Sequence, residues 1–104
     1  MLYEMRTYRL KTGATPAYVK LVEEEGITIQ KSHLGQLVGY FTSEIGPLNE
    51  IVHIWAYASL DDRAARRARL AADPAWQAFG PKIQALIEVM ENKILLPTSF
   101  SPLP

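Results

Sequence analysis

The strongest constraint on the fold is a pair of strand-like segments separated by a short run of turn-forming residues. Residues 36–45 (QLVGYFTSEI) and 50–58 (EIVHIWAYA) are rich in β-branched and aromatic side chains. Between them stands Gly46-Pro47-Leu48-Asn49, in which glycine, proline and asparagine all favour turns. The two segments therefore predict an antiparallel β-hairpin.

The register of this hairpin divides its side chains into two sets. If Ile45 faces Glu50 across the four-residue loop, then Thr42 faces His53 and Tyr40 faces Trp55. One side of the hairpin is then polar and aromatic, whereas the other is small and aliphatic, as packing against helices prefers. The polar and aromatic side carries Glu44, Thr42, Tyr40, His53, Trp55 and Tyr57, and the aliphatic side carries Phe41, Gly39, Val52, Ile54, Ala56 and Ala58.

The segments before the hairpin predict a strand and a helix. Residues 2–10 (LYEMRTYRL) alternate in the way expected of a strand, with Glu4, Arg6 and Tyr8 on one side. Apolar residues then recur at helical spacing over about 16 to 32, and Gly35 is a natural stop for that helix.

The segments after the hairpin predict two helices and a last strand. A capping sequence at Ser59 starts a helix from 60 to about 72, and Asp73-Pro74 starts a shorter one that Gly80-Pro81 breaks or redirects. Residues 87–96 (IEVMENKILL) suit either a strand or a helix, and the preceding topology favours a strand.

The order strand, helix, strand, strand, helix, strand predicts an α+β, ferredoxin-like βαββαβ fold with a four-stranded antiparallel sheet. We expect residues 1–104 to form one domain, with the proline-rich residues 97–104 as an extended C-terminal arm. With both helices on the aliphatic side, the polar and aromatic side is left uncovered. A second copy would cover it, so that two sheets close into a dimeric α/β barrel.

Composition narrows the partners and the location. The chain has 11 basic and 11 acidic residues, so no net charge draws it to nucleic acid or to an anionic membrane. It has no cysteine, which excludes disulfides, thiolate chemistry and sulfur-based zinc sites. Charged residues interrupt the first ten positions where a leader would need an apolar stretch, and no apolar run is long enough to span a membrane. We expect a cytoplasmic protein.

Three segments together resemble a known family. They are YEMRTYRL at the start, GYFTSEIGPLNEIVHIWAYASLDDRAARRARLAADPAWQAF in the middle and NKILLPTSFSPL near the end. These resemble bacterial members of the NIPSNAP family, within the dimeric α/β-barrel superfamily. The resemblance implies the ferredoxin-like fold and a homodimer with a shared barrel. It implies no defined reaction, although the superfamily includes cofactor-independent monooxygenases, haem-dependent enzymes and isomerases.

Residues that could carry chemistry concentrate on the polar and aromatic side. Histidine titrates near neutral pH, so His53 is a candidate general acid or base, with a purely structural role as the alternative. Arg6 is a candidate for binding a substrate carboxylate or enolate, or else it forms an ion pair with Glu4 or Glu44. The candidate catalytic residues are His53, Arg6, Tyr40 and Tyr57, and the candidate substrate-binding residues are Tyr8, Thr42, Trp55 and Glu44.

Two other kinds of site are less favoured. His33 and His53 have no carboxylates at metal-ligand spacing, so no metal site is predicted, and no cofactor is expected; haem ligation by His53 stays open. The arginines of the second helix, interleaved with alanines, predict a solvated face with ion pairs to nearby aspartates. They are Arg63, Arg66, Arg67 and Arg69.

Two functions fit these observations. The first is a homodimer that binds a small organic molecule, between the sheet and its helices or inside the shared barrel, and whose enzymatic form would be a monooxygenase or isomerase. The second is a non-catalytic interaction or scaffold module whose aromatic sheet face only builds the dimer. The sequence leaves open the ligand and whether the protein is an enzyme.

Overall fold

The chain forms a four-stranded antiparallel sheet with all of its helices on one side. The computed structural model describes residues 1–104, and the strand order in the sheet is β2-β3-β1-β4. This is the predicted ferredoxin-like arrangement, and the ambiguous segment 87–96 is a strand. The elements are β1 (Leu2–Leu10), α1 (Thr15–Leu21), a π-helical segment (Val22–Gly26), α2 (Ile27–Leu34), β2 (Gln36–Thr42), β3 (Glu50–Tyr57), α3 (Leu60–Ala72), α4 (Pro74–Gln84) and β4 (Ile87–Leu95).

The first helical region is continuous from α1 to α2 but changes pitch in the middle. It ends before Gly35, whose φ of 85° lies in the region that glycine enters without strain. The π-helical segment ends at Gly26, which lies directly against α4. A Cβ atom at Gly26 would sit 2.5 Å from the ring of Phe79, so only glycine allows this close approach.

The last two helices are capped as the sequence predicts. The Ser59 hydroxyl accepts a hydrogen bond from the Asp62 amide (3.0 Å), and the Asp73 carboxylate accepts one from the Ala75 amide (2.8 Å). The predicted break at Gly80-Pro81 is wrong, because α4 runs through it to Gln84. Phe79 and Ile83, on either side of the proline, are both buried in one hydrophobic cluster, and this packing outweighs the single lost backbone hydrogen bond.

The hairpin forms as predicted, but with a different register. Tyr40 faces His53 and Thr42 faces Ile51, a shift of two residues from the predicted pairing, and the register slips between Leu37 and Gly39. The cause is the loop, which spans residues 43–49 rather than 46–49 and is closed by a hydrogen bond from the Ser43 amide to the Glu50 carbonyl (3.1 Å). Since a shift of two preserves the side to which each residue points, Tyr40 and His53 stay on the same side.

The side of the sheet that the helices cover is the opposite of the predicted one. His53, Trp55 and Tyr57 are buried beneath the helices, together with the β1 residues Glu4 and Tyr8. Large side chains are needed to fill the space between the sheet and the helices that cover it, and the aliphatic set is too small to do so. The predicted uncovered aromatic face is therefore wrong.

The side without helices carries the small and aliphatic residues instead, and residues 97–104 lie against part of it near Tyr3 and Ile54. Val52 and Ile54 are half-buried there, and Phe41 keeps 53% of its surface exposed. Residues 97–104 include a turn at 99–100, with a hydrogen bond from the Ser101 amide to the Thr98 carbonyl (3.1 Å), and the Tyr3 hydroxyl donates a hydrogen bond to the Pro104 carbonyl (2.6 Å).

Candidate functional site

The centre of the helix-covered side is His53, which is 1% exposed. Its imidazole stacks on the ring of Tyr40 at 4.5 Å and meets the ring of Tyr8 edge-on at 4.9 Å. The indole Nε1–H of Trp55 donates a hydrogen bond to Nδ1 of His53 (2.8 Å). An indole nitrogen only donates, so Nδ1 must accept and the neutral ring carries its proton on Nε2. That Nε2–H group is buried and has no hydrogen-bond partner.

The environment keeps His53 uncharged. Burial, and after it the positive charge of Arg6, lower the pKa of His53 to about 3. The negative charge of Glu4 acts in the opposite direction but has a smaller effect than Arg6. At neutral pH the ring is therefore the neutral imidazole, and it lacks the second, acidic proton that an imidazolium would give. Its one free lone pair is already engaged by Trp55, so the ring offers a hydrogen-bond donor rather than a base.

A second group of charges surrounds Glu4, which neighbours Trp55 across the sheet and is 0% exposed. Its Oε2 atom accepts hydrogen bonds from Arg6 (3.1 Å), Arg63 (2.6 Å) and Asn92 (2.7 Å). Its Oε1 atom has no hydrogen-bond partner, and the nearest Arg67 nitrogen is 3.9 Å away. Three arginines thus face one carboxylate.

The charge state of this group is well defined. Burial raises the pKa of Glu4, but the hydrogen bonds from Arg63 and Asn92 and the charge of Arg6 outweigh burial and lower it to about 2. Glu4 is therefore a carboxylate at neutral pH and a weak base. With one negative charge against three positive ones, the group as a whole is cationic.

A cavity of about 140 Å³ lies between the sheet and the helices beside these residues. Its polar lining includes Arg6, His53, Arg67 and Gln30, and its apolar walls include Leu34, Leu70, Trp76 and Ile83. Gln30 is 7% exposed and its side-chain oxygen has no hydrogen-bond partner. Unpaired buried polar groups are costly, so the Gln30 oxygen and the His53 Nε2–H group are both available to a polar molecule in this cavity.

The tyrosines around His53 are neutral hydrogen-bonding groups. Tyr18 and Tyr40 share a hydrogen bond between their hydroxyl oxygens (2.7 Å), and burial raises the pKa of both. The Tyr8 hydroxyl accepts a hydrogen bond from Nε of Arg6 (2.7 Å), which holds the guanidinium in place. Burial also raises the pKa of Tyr57, whose hydroxyl has no partner.

A separate apolar groove of about 280 Å³ lies outside this site, between the first helical region and β2. Its lining includes Val19, Val22, Ile27 and Phe41. Tyr40 contributes to this groove and also stacks on His53, so its ring contacts both regions.

The structure brings together some of the predicted site residues and separates others. His53, Arg6 and Tyr8 line the cavity, whereas Trp55 and Tyr40 contact His53 without lining it. Tyr57 packs in the neighbouring hydrophobic cluster. The two remaining candidates lie away from the cavity: Thr42 borders the outer groove and Glu44 is exposed in the hairpin loop.

Sequence reasoning missed the part of the site that the helices provide. Arg63 and Arg67 point towards Glu4, so only part of the arginine run is a solvated face; Arg66 does pair with Asp62 (2.9 Å) as expected. A signal existed, because Arg63 and Arg67 share a helical face with the buried Leu70. Likewise, Gln30 lies at helical spacing from Leu34.

The surroundings of His53 do not suit haem ligation. No group of three or more histidine, cysteine or acidic side chains is placed to hold a metal ion. Haem iron needs a free imidazole lone pair, but Nδ1 of His53 accepts from Trp55 and Nε2 carries the proton. The cavity is also smaller than the pockets of about 300 Å³ or more that hold larger ligands.

Comparison with known sequences identifies the family. The NIPSNAP family model matches residues 3–102. The chain belongs to the NIPSNAP family. Among curated NIPSNAP proteins, it is 33% identical over 99 residues to the NipSnap homologue of Dictyostelium discoideum and 35% identical over 106 residues to NipSnap of Drosophila melanogaster. These alignments cover 95% and 97% of the chain but only 44% and 36% of the relatives, so the chain spans less than half of their length.

Solved structures agree with this assignment. A NIPSNAP family protein with unknown function from Agrobacterium tumefaciens is 74% identical, with a TM-score of 0.98 over 100% of this chain and 94% of that one. A putative antibiotic biosynthesis monooxygenase from Nitrosomonas europaea is 15% identical, with a TM-score of 0.68 over 93% of this chain and 98% of that one. At that identity the second comparison shows the fold alone. None of the helices has the length and apolar character needed to cross a membrane.

Proposed function

We propose that this NIPSNAP protein binds a small organic anion in the cavity between its sheet and helices. The observation that carries the proposal is the surplus of positive charge at a cavity with unpaired buried polar atoms. Glu4 compensates one of three arginines, and Arg67, which makes no hydrogen bond to Glu4, lines the cavity. A guanidinium binds carboxylates well because its planar fork matches their geometry.

An enzymatic version of this proposal gives His53 a different role from the proton shuttle expected from the sequence. A neutral imidazole held with its Nε2–H group towards a substrate would donate a hydrogen bond to an oxygen on which negative charge develops. Arg6 would stabilise the same charge. Neither His53 nor Glu4 can take up a substrate proton at neutral pH, so an isomerase-type or monooxygenase-type reaction at this site would need a substrate that enters already as an enolate-like anion.

The scaffold alternative loses its main support. It required the aromatic side of the sheet to serve only as a dimer interface, but the protein's own helices cover that side. The cytoplasmic location stays a prediction from the sequence.

The binding proposal is tested with butyrate and a matched pair of arginine variants. Arg67→Gln removes a cavity charge, whereas Arg69→Gln removes the same charge from an exposed position on the same helix. Hydrogen bonds to charged groups are worth about 1.5 kcal/mol or more, so the first variant should weaken butyrate binding by about tenfold in calorimetry. The second should change it by less than about twofold. Equal effects in the two variants, or no butyrate binding at all, would contradict the proposal.

We also propose that the protein is a homodimer, in which the aliphatic side of the sheet, the side without helices, packs against the same side of a second copy. An exposed Phe41 next to Val52 and Ile54 is an apolar surface of the kind that a second copy would bury. Ile54→Glu should give monomers in size-exclusion chromatography with light scattering, because a buried charge would lie in the interface. Ile45→Glu, in the hairpin loop where Ile45 is 93% exposed, should leave dimers intact. A wild-type protein that is monomeric at high concentration would refute this arrangement.

A further inference from the structure

Besides the Nε2–H group of His53, the cavity wall holds a second neutral polar group without a partner, the side-chain oxygen of Gln30. Gln30 projects from α2, is 7% exposed, and makes no hydrogen bond. An amide buried without a partner destabilises the fold, so an apolar residue would serve better at this position if the cavity only needed a wall. The amide is therefore suited to a ligand group other than the anionic one.

The other polar groups of the cavity define what a ligand must offer. Arg6 and Arg67 are cationic donors, and His53 presents a single Nε2–H donor. Gln30 adds an amide, whose oxygen accepts and whose nitrogen donates. A simple carboxylate would satisfy the arginines but would leave the amide unpaired. A hydroxyl group both donates and accepts, so it can bridge a carboxamide and an imidazole N–H.

We propose that the ligand is a short-chain hydroxycarboxylate, with its carboxylate bound by Arg6 and Arg67 and its hydroxyl bound by Gln30 and His53. This inference rests on the proposed function and names the substrate class of the same site. It makes Gln30 the residue that distinguishes hydroxylated acids from plain ones.

The volume of the cavity and the apolar side chains in its wall agree with a short-chain hydroxycarboxylate. A water molecule occupies about 30 Å³ in the liquid, so a cavity of about 140 Å³ has the volume of about five waters, which suits a short-chain acid rather than a large ligand. Leu34, Leu70 and Ile83 make part of that wall apolar. An inorganic anion such as phosphate would leave these side chains without contacts, whereas a short carbon chain would pack against them.

The experiment compares three acids with one carbon skeleton: butyrate, 2-hydroxybutyrate and 3-hydroxybutyrate. Titration calorimetry on the wild-type protein should show at least one hydroxy acid binding about tenfold more tightly than butyrate, because a buried amide gains a partner. In Gln30→Met, which keeps a similar side-chain volume without the amide, the ratio of hydroxy-acid affinity to butyrate affinity should fall to within about twofold of one. Inorganic phosphate is the control for charge alone.

Each result separates this inference from the binding proposal. If butyrate binds in an Arg67-dependent way but both hydroxy acids bind no better, the anion site stands and the hydroxycarboxylate inference is overturned. If phosphate binds as tightly as the hydroxy acids, the class is also wrong. If none of the acids binds, both proposals fail. Should Gln30→Met not fold, the comparison of the three acids on the wild-type protein alone decides the matter.

Discussion

The buried imidazole of His53 should make the protein lose stability on the acid side of neutrality. Its pKa falls from an ordinary value of 6.5 to about 3 in the folded chain, first because of burial and then because of the Arg6 charge. Between these two values the unfolded chain binds a proton at His53 and the folded chain does not. The free energy of unfolding must therefore decrease as the pH falls through this window.

The size of the effect follows from the shift. One pKa unit corresponds to about 1.36 kcal/mol, so His53 alone should remove about 2.5 kcal/mol of stability between about pH 6 and about pH 4. That is a large fraction of the stability expected for a domain of this length. Protonation of the folded ring begins only near pH 3, where the loss should level off.

Urea unfolding at these two pH values provides the test. His53→Asn removes the titrating group, and its side-chain oxygen can still accept the hydrogen bond from Trp55. The wild type should lose about 2.5 kcal/mol more than this variant on going to the lower pH. His33→Asn removes the other histidine, which lies outside the cavity and bonds to Asp73 (2.7 Å), so this control should keep the acid-side loss. Parallel pH profiles for the wild type and His53→Asn would refute the argument.

Two further predictions concern the elements around the cavity. Gly26→Ala places a methyl group 2.5 Å from the Phe79 ring and should lower the free energy of unfolding in urea by about 1 to 3 kcal/mol. An unchanged free energy of unfolding would contradict the close approach. Glu4→Gln leaves partly buried arginines uncompensated and should cost about 3 kcal/mol at neutral pH, unlike the exposed control Glu24→Gln. Because the pKa of Glu4 is lowered from 4.5 to about 2, the stabilisation by its carboxylate is complete above pH 4.5, and the difference from Glu4→Gln should shrink as the pH falls towards 2.

The candidate site could be predicted only in part. The strand residues Arg6, Tyr8 and His53 were found because alternation along a strand shows which side chains share a side. Gln30 and Arg67 were missed because they come from helices, and a helix reveals its buried face only when the apolar residues are numerous. In α3, alanines and arginines dominate, so the sequence resembles a solvated helix even though Arg63 reaches Glu4.

Local chemistry alone determined the order of elements and hence the fold. Three local signals act through their own backbone and immediate neighbours, so they can be predicted from the sequence. They are the turn formers at Gly46-Pro47, the helix stop at Gly35 and the helix cap at Ser59. Three features depended on tertiary packing: the side of the sheet that the helices cover, the path of α4 through Pro81, and the register of the hairpin. Each is a competition between contacts distant in sequence, and the volume of Trp55, Tyr57 and their neighbours decided which side became the core.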